Sequence, residues 1–320
     1  MSGSDDIGII VIGRNEGARL RACLASLDGC PVRLIYVDSG STDGSVAAAR
    51  QAGAHIVELD MSRPFTAARA RNAGLAELAG NDPPAFVQFL DGDCTLASGW
   101  LTAARTFLQQ NPSVVAVSGR LRERHPERSL YNRLCDAEWN TPTGRSRACG
   151  GIVLMRFPSV MDAGGFREDL IAGEEPELCV RLRAAGGEIW RIDHEMGWHD
   201  AEMTRFSQWW RRSRRAGFAF AEGYRLHGRP PERHFALEMR RILVWAGLLP
   251  IAILSGALII SPWALLGFAL YPLQVVRLAK RVGWERAAFL SLGRFAEMQG
   301  VLEYQRQRLS GARRTLIEYK

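Results

Sequence analysis

The feature that most constrains this chain is an uncharged, apolar run of about 35 residues from Ile242 to Val276. As one straight helix it would measure roughly 50 Å, well beyond a hydrocarbon core of about 30 Å. The run must therefore break or tilt steeply, and Ser261-Pro262 is the natural break because proline disrupts a continuing helix. The two segments that result are Ile242–Ile260 and Trp263–Val276. The first is long enough to span a bilayer, and the second is of marginal length.

Basic residues flank both ends of this apolar run. They are Arg240 and Arg241 before it and Arg277, Lys280 and Arg281 after it. Because cytoplasmic flanks of membrane segments are enriched in Lys and Arg, both ends are expected in the cytoplasm. A helical hairpin or re-entrant pair is predicted at 236–281, with a buried helix pair in a soluble protein as the alternative. The segment 282–320 mixes apolar residues with arginines and is expected to form a basic amphipathic tail on an anionic leaflet.

The first third of the chain alternates short β-branched runs with amphipathic stretches, which is typical of βαβ units on a parallel sheet. The predicted strands are Ile7–Ile12, Arg33–Val37, His55–Leu59, Ala85–Leu90 and Val114–Ser118. The predicted helices are Gly17–Leu27, Gly44–Ala52, Thr66–Ala79 and Gly99–Gln109. Ligands of such sheets bind in a crevice at the carboxyl ends of the strands, so we expect the chemistry there.

Composition narrows the class of protein and of partner. With 47% hydrophobic residues the chain can bury a core without disulfides, and its net charge of +7 suits nucleic acid, an anionic membrane or a phosphorylated substrate. The six cysteines are scattered along the chain and form no Cys-x-x-Cys pair, which argues against a zinc site and a disulfide framework. A reducing cytoplasm is expected. The acidic opening residues are unlike those of a signal peptide.

Two carboxylates, Asp91 and Asp93, follow the predicted strand that ends at Leu90. Strict alternation would send them to opposite faces, but a turn at Gly92 lets both point toward one hard cation. Such a cation can bridge the phosphates of a nucleoside diphosphate. An ordinary surface turn is the alternative interpretation.

Two further loops follow the first two strands. Asp38 comes directly after Leu34–Val37, where its carboxylate could accept hydrogen bonds from a base or a ribose, although the segment through Gly44 also fits a polar turn before a helix. The first strand leads into Gly13-Arg14-Asn15-Glu16, which lacks the glycine spacing of a dinucleotide fingerprint. NAD binding is therefore disfavoured.

Taken together, these motifs resemble those of glycosyltransferase family 2, whose members are inverting enzymes with the GT-A fold. The family has, in order, Asn-Glu, Val-Asp-x-x-Ser-x-Asp, Ala-Arg-Asn-x-Gly, Asp-x-Asp, a Gly-Gly acceptor turn and Glu-Asp-x-Glu-Leu before an Arg-Leu helix. The matching residues here are Asn15-Glu16, Val37–Asp43, Ala70–Gly74, Asp91–Asp93, Gly150-Gly151, Gly173–Leu178 and Arg181-Leu182. The resemblance covers about residues 7 to 200. It implies an α/β fold of the GT-A type, with a mostly parallel nucleotide-binding sheet flanked by helices. The membrane hairpin and tail predicted from the apolar run would follow this fold.

The resemblance also implies a role for each matching position. Residues implied to bind the donor nucleotide are Arg14, Glu16, Asp38, Arg71 and Asp91. Asp93 would be the principal ligand of Mn²⁺ or Mg²⁺, with Asp91 and His199 near the metal. Glu175 would be the catalytic base, although the family has an aspartate there, and Glu174 is the substitute candidate. Residues implied to face the acceptor are Gly150, Gly151, Glu174 and Arg211. The acids could instead stabilise a helix start, and His199 could be an ordinary satisfied polar residue.

The segment Gln208–Arg212 resembles the Gln-x-x-Arg-Trp motif of processive polysaccharide synthases, but Arg212 replaces the tryptophan. A single hydrophobic hairpin also lacks the helices of a polymer channel, so transfer of one sugar is expected. Arg211 and its neighbours could hold a diphosphate, or they could form a solvated or membrane-facing basic helix.

The sequence therefore predicts a metal-dependent inverting glycosyltransferase at the cytoplasmic face of the inner membrane. Its partners would be a nucleotide-diphosphate sugar, a lipid-linked or cell-envelope glycan and membrane lipids, and not nucleic acid. The expected division is a nucleotide-sugar half at 1–119, an acceptor half at 120–235, the hairpin at 236–281 and the tail at 282–320. Alternatives are a polyprenyl-phosphate glycosyltransferase, a nucleotidyltransferase of similar fold and a nucleotide-binding membrane scaffold without turnover.

Overall fold

A computed structural model of the chain describes residues 6–29, 33–80 and 82–311. These residues form two compact units, the first ending at Thr204 and the second beginning at Arg205. Cys30, the first five residues and the last nine, including Arg313 and Arg314, lie outside the described residues.

The first unit is an α/β layer structure with nine strands. The strands are β1 Ile7–Gly13, β2 Arg33–Asp38, β3 His55–Glu58, β4 Phe86–Asp91, β5 Cys94–Leu96, β6 Val114–Glu123, β7 Gly144–Ser146, β8 Val153–Arg156 and β9 Glu188–His199. The helices are α1 Ala18–Ala25, α2 Ser45–Gln51, α3 Ala67–Leu78, α4 Trp100–Gln110, α5 Leu130–Trp139, α6 Phe157–Asp162 and α7 Glu174–Ala184, with a short 3₁₀ turn at Pro126–Arg128. Every strand and helix that the sequence predicted in its first third is present.

The strands pair in the order β3-β2-β1-β4-β8-β6-β9-β5, and β7 pairs with β9. The four strands β3, β2, β1 and β4 are parallel, so their carboxyl ends form one edge of the sheet. Strand β8 runs antiparallel to β4 with Val153 opposite Phe89, so the loop before β8 returns to that same edge. Strand β5 pairs with β9, which sets Cys94 opposite His199. The mixed pairing thus places the loop before β8 at the same edge as the loops that follow the parallel strands.

Apolar residues of β1 point alternately into two cores, one on each face of the sheet. Ile9 and Val11 pack on the side of α1 and α4, whereas Ile10 packs on the side of α3 and α7. A strand that is covered on both faces needs a continuous apolar sequence rather than an alternating one, as the run from Ile7 to Ile12 shows.

The second unit is helical. Its elements are α8 Phe206–His227, α9 Ala236–Ile242, a π-helical turn Leu243–Leu248, α10 Leu249–Ile259, a 3₁₀ segment Pro262–Ala269, α11 Leu270–Val282 and α12 Trp284–Ser310. Helices α8 and α12 approach closely because glycines lie at their contact. A side chain at Gly300 would collide with the backbone of Arg214, and one at Gly217 would collide with that of Glu297. One face of the predicted tail is therefore packed, while Arg306 on its other face is exposed.

Two helical stretches are long and apolar enough to cross a membrane, Ala236–Ile259 and Pro262–Val282. They are separated at Ile260-Ser261, which confirms the predicted break before Pro262. Their side chains are largely uncovered within the second unit, with Leu258 87% and Ile259 79% exposed. Apolar surface of this extent is abnormal for a water-soluble monomer.

The π-helical turn has a local cause in Pro250, which lacks an N–H and whose ring crowds the carbonyl four residues before it. An i→i+5 hydrogen bond from the carbonyl of Trp245 would need the N–H of residue 250, which proline does not have. The hydroxyl of Tyr271 on α11 donates to this carbonyl instead, at 2.6 Å. This bond ties the first apolar helix to the second.

Candidate functional site

The Asp91-Gly92-Asp93 segment turns at the end of β4, as predicted. The N–H of Gly92 donates to the carbonyl of Ile12 at 2.8 Å, which extends the pairing with β1 by one residue before the chain enters β5. A side chain at Gly92 would lie 3.3 Å from both the Glu16 Cγ and the Ile12 oxygen, so the turn suits glycine. The two carboxylates then take different partners, one on each side of the turn.

Asp91 forms an ion pair with Arg71, which is buried on α3. The Nη2 atom of Arg71 lies 2.9 Å from Asp91 Oδ1, and its Nη1 lies 2.7 Å from Glu174 Oε1 at the start of α7. Burial alone would lower the pKa of Arg71, but the carboxylates of Asp91 and Glu174 outweigh it and raise that pKa. The guanidinium therefore stays charged and joins the end of β4 to the start of α7.

The ring of Phe166 packs below this guanidinium, with the Arg71 Cζ atom 5.5 Å from the ring centroid. Asn72 holds Phe166 in place through two reciprocal bonds of 2.8 Å, to its backbone N–H and carbonyl. The side chain of Arg71 is thus fixed by an aromatic face and two carboxylates, and Asp91 keeps a partly exposed carboxylate at the crevice.

Asp93 is buried and faces His199, the last residue of β9. Its Oδ2 atom lies 3.1 Å from His199 Nε2, and the ring of Trp139 packs edge-on against the imidazole at 4.8 Å. The thiol of Cys94 lies 3.4 Å from Asp93 Oδ1. Burial, followed by the charge of Asp91, raises the pKa of Cys94, so this thiol is protonated and can donate to Asp93.

Carboxylate oxygen and imidazole nitrogen are ligands that suit Mn²⁺, and carboxylate oxygen suits Mg²⁺. The ligand atoms of Asp93, Cys94 and His199 lie within 4.8 Å of one another. The carboxylate of Asp91 pairs with Arg71 and does not belong to this group, so the predicted convergence of both carboxylates is not seen. Asp93 and His199 are the members of the group whose chemistry fits a hard divalent cation. His199 lies beside Asp93, and its role as a metal ligand stays a prediction.

The loops after β1 and β2 are tied together by Asn15, which has a positive φ of 54°. Its side-chain oxygen accepts the N–H of Thr42 at 2.7 Å, and its own N–H donates to the hydroxyl of Ser41 at 2.9 Å. Asparagine tolerates this left-handed conformation better than most residues, which explains its place at the turn. The sequence motif identified Asn15 but not this function.

Asp38 lies buried at the end of β2 and organises its own loop. Oδ2 accepts the N–H groups of Gly40 and Ser41 at 2.9 and 2.8 Å, and Oδ1 accepts the hydroxyl of Tyr36 at 3.0 Å. Burial, followed by the charge of Asp38, raises the pKa of Tyr36, so its hydroxyl stays protonated. Oδ1 accepts only this bond from Tyr36 among the described residues, so it has capacity for a further donor.

The other two donor-side candidates flank the same loops. Glu16 forms an ion pair with Arg19 at 2.8 Å, and Arg19 also reaches Glu202 at 2.8 Å. The Cζ atom of Arg14 lies 5.2 Å from the centroid of the Phe65 ring, a cation–π distance.

Gly150 and Gly151 form the loop before β8. A Cβ atom at Gly151 would lie 3.0 Å from Arg71 Nη2 and 3.2 Å from Asp91 Oδ2. The backbone therefore lies directly against the Arg71–Asp91 pair. Gly150 has a φ of 84°, a left-handed conformation that glycine adopts more easily than other residues because it has no Cβ atom.

Glu175 is buried beside two cysteines that the sequence did not associate with it. Its Oε1 atom accepts the N–H of Cys149 at 2.7 Å and the thiols of Cys149 and Cys179 at 2.9 Å each. Burial raises the pKa of both thiols, to about 11 for Cys179, so they remain protonated donors. Among the described residues, all hydrogen bonds of this carboxylate reach Oε1, which leaves Oε2 without a protein partner.

The remaining candidate, Arg211, lies exposed on α8 in the second unit. The first unit gathers the others at the carboxyl edge of its parallel strands. Contacts such as Arg71 to Glu174 join residues 103 apart in the chain, so they follow from the sheet order and not from any local pattern.

A family model described as "Glycosyl transferase family 2" matches residues 8–164. A pre-mycofactocin glycosyltransferase of Mycobacterium tuberculosis strain H37Rv is 30% identical over 197 residues, which is 58% of this chain and 40% of that protein. The chain thus spans less than half the length of this curated relative.

Two solved structures are also similar. The mannosyltransferase PcManGT from Pyrobaculum calidifontis, in complex with GDP-Man and Mn²⁺, has a TM-score of 0.67 at 20% identity, covering 94% of this chain and 88% of that one. Glucosyl-3-phosphoglycerate synthase from Mycobacterium tuberculosis, in complex with Mn²⁺ and UDP-glucose, has a TM-score of 0.51 at 18% identity, covering 68% and 78%. Likeness at these identities concerns the fold, which is the predicted GT-A fold.

Proposed function

The chain belongs to glycosyl transferase family 2, and on that premise we propose that it transfers one sugar from a nucleotide-diphosphate sugar to an acceptor hydroxyl. The observation that carries this proposal is the bridge made by Arg71 between Asp91 and Glu174. It joins the strand end where a donor would bind to the helix start that carries the candidate base. A chain that only bound nucleotides would not need a candidate base held next to the donor site.

The donor nucleotide is proposed to bind over the loops that follow β1 and β2. Asp38 would use the remaining capacity of its Oδ1 for a base or ribose donor, while its other bonds keep the loop in shape. Glu16 and Arg14 flank the same crevice. Both similar solved structures hold a nucleotide sugar, GDP-Man in one and UDP-glucose in the other, which supports a donor of this class.

Asp93, His199 and Asp91 are proposed to hold a divalent cation, Mn²⁺ or Mg²⁺. When bound, this cation would neutralise negative charge on the departing nucleoside diphosphate. Mn²⁺ in both similar solved structures supports the same proposal. Arg71 adds a fixed positive charge next to Asp91 and keeps that carboxylate oriented.

Glu175 is proposed to be the general base of an inverting displacement. Its Oε1 is held by three donors, so Oε2 is oriented and available to take the proton of the acceptor hydroxyl. The acceptor oxygen would then attack the anomeric carbon on the face opposite the leaving diphosphate. Glu174 is already engaged by Arg71 and would position the acceptor side of the crevice.

The two long apolar helices support action at a membrane, and we propose the cytoplasmic face of the inner membrane. The acceptor is then a lipid-linked or cell-envelope glycan, which is found at the same surface. A transfer assay that yields a charged lipid-phosphate sugar would instead identify polyprenyl phosphate as the acceptor.

The test is donor binding with and without metal, measured by thermal shift on a panel of UDP and GDP sugars. We expect the cognate donor to raise the unfolding temperature only when Mn²⁺ or Mg²⁺ is present, because a bound ligand stabilises by RT ln(1 + [L]/Kd). Asp93→Asn should remove this shift, since an amide holds a hard cation poorly. Asp162→Asn, at an exposed helix end, is the matched control and should keep it. A metal-dependent shift that survives in Asp93→Asn would refute the metal assignment.

A further inference from the structure

An open cavity of about 510 Å³ lies in the second unit and is lined by α9, the π-helical turn, α11 and α12. Five of its lining residues are arginines: Arg240, Arg241, Arg277, Arg281 and Arg294. None of its described lining residues is acidic. A cavity of one charge sign with no internal counter-ion is suited to an anionic ligand.

Four of these arginines have no carboxylate partner among the described residues. Only Arg294 is paired, with Glu297 on its own helix at 2.7 Å. The other four side chains are largely exposed, so their charges carry little desolvation cost. Their guanidinium groups are accessible to an anionic ligand. Planar guanidinium groups recognise phosphate oxygens through paired hydrogen bonds.

Most of the other lining residues are apolar or aromatic, and Gln274 and Ser291 are the polar exceptions. Val244 and Trp245 line it from the π-helical turn, and Leu278 lines it from α11. The Tyr271 hydroxyl holds the two walls together by its 2.6 Å bond to the Trp245 carbonyl. A ligand that fits both walls has an anionic head and an apolar body.

The position of the arginines along the two apolar helices gives the source of that ligand. Arg240 and Arg241 lie near the start of Ala236–Ile259, and Arg277 and Arg281 lie near the end of Pro262–Val282. Because the chain reverses at Ile260-Ser261, both groups lie at the same end of the hairpin. In a bilayer this is the level of the lipid phosphates, where basic pockets between helices bind anionic headgroups.

We propose that this cavity binds the phosphate headgroup of an anionic membrane phospholipid, with an acyl chain against Val244, Trp245 and Leu278. The site would fix the depth and orientation of the second unit in the membrane. This assignment concerns only the second unit and does not depend on the proposed transferase activity.

The test uses the full chain in a neutral detergent, with lipids added at equal concentration. We expect phosphatidylglycerol and cardiolipin to raise the unfolding temperature, and phosphatidylcholine and inorganic phosphate to leave it unchanged. Native mass spectrometry of the same samples should show retained anionic lipid at low stoichiometry. A shift of equal size with inorganic phosphate would overturn the role of the apolar wall, and a shift with polyprenyl phosphate alone would overturn the choice of a phospholipid.

A double variant, Arg240→Gln/Arg277→Gln, should lower the affinity for phosphatidylglycerol about tenfold or more. Lys280→Gln/Arg306→Gln removes the same charge from exposed positions outside the cavity and should retain the affinity of the unchanged chain. Equal losses in the two variants would mean unspecific attraction and would overturn the site. The lipid-free unfolding temperature of each variant reports whether it is folded, and lipid retention by the unchanged chain tests the proposal independently of both.

Discussion

Glu174 and Glu175 are adjacent in the sequence but have different surroundings, which makes them a matched pair for testing the base. Glu175→Gln keeps an oxygen for the three donors at Oε1 and removes the basic atom at Oε2. Loss of a general base typically lowers the rate about 10²- to 10⁴-fold, so transfer should fall by this factor at saturating donor. Donor affinity, measured by calorimetry, should persist.

Glu174→Gln removes one of two carboxylates from Arg71, which keeps Asp91 as a partner. We expect a much smaller loss of transfer than in Glu175→Gln. A reversed ranking of the two variants would move the base to Glu174. Wild-type transfer in Glu175→Gln would leave the chain without an assigned base.

Gly151 offers a separate test of the Arg71–Asp91 pair. In Gly151→Ala the new Cβ would lie 3.0 Å from Arg71 Nη2, so the guanidinium or the loop must shift by a few tenths of an ångström. Small displacements of positioned groups are costly in catalysis, and we expect transfer to fall roughly tenfold. Gly80→Ala, on the surface with its nearest contact at 3.5 Å, should leave the rate unchanged. Comparable rates in both variants would show that the loop accommodates the methyl group.

At the scale of elements, the bond between Tyr271 and the Trp245 carbonyl is predicted to stabilise the helical hairpin. Tyr271→Phe removes this hydrogen bond, and a typical intramolecular hydrogen bond contributes about 0.5–1.5 kcal/mol to stability. The unfolding temperature of the full chain in detergent should therefore fall.

Tyr224→Phe is the control for that substitution, because Tyr224 on α8 is 44% exposed. It should change the unfolding temperature little. An equal decrease in the two variants would show that the loss comes from the tyrosine hydroxyl in general and not from this particular bond.

The sequence predicted the elements whose pattern is local. β1 to β4 and α1 to α4 follow short apolar runs and amphipathic stretches, and the break before Pro262 follows from proline itself. Strands β5, β7 and β8 have three or four residues each, which is too short for a periodic signal. The long strand β9 contains Asp193, His194 and Glu195 among its apolar residues, so neither alternation nor a continuous apolar run marks it.

The candidate site divides in the same way. Asp91, Asp93 and Asp38 could be located because each directly follows a recognisable strand. The approach of Cys149 to Glu175 depends on packing between the loop before β8 and α7, and no spacing in the sequence signals it. Cys179 lies four residues after Glu175 on the same helix, a spacing that the sequence does show once α7 is recognised. The sequence therefore located candidate residues at the strand ends, but it did not identify the residues from other elements that orient their side chains.

At the scale of the whole molecule, the two units predict different solution behaviour. The full chain exposes large apolar side chains on its two long helices, so purification should require detergent. A detergent-free, monodisperse full chain would contradict membrane attachment. The family match at 8–164 and the candidate donor and metal residues lie within the first unit.

Two truncated chains separate the contributions of these units. A chain that ends at Pro231 keeps α8 but loses α12, so Trp209 and Phe218 lose the side chains of Phe289 and Tyr304 that pack against them. A chain that ends at Thr204 lacks α8, so it does not expose the apolar face of α8 that packs against α12. We expect the shorter chain to be monodisperse without detergent in size-exclusion chromatography, and the longer one to be less soluble because it presents an uncovered apolar helix face. The shorter chain should also retain metal-dependent donor binding, and failure of that binding in a folded sample would show that the second unit contributes to the donor site.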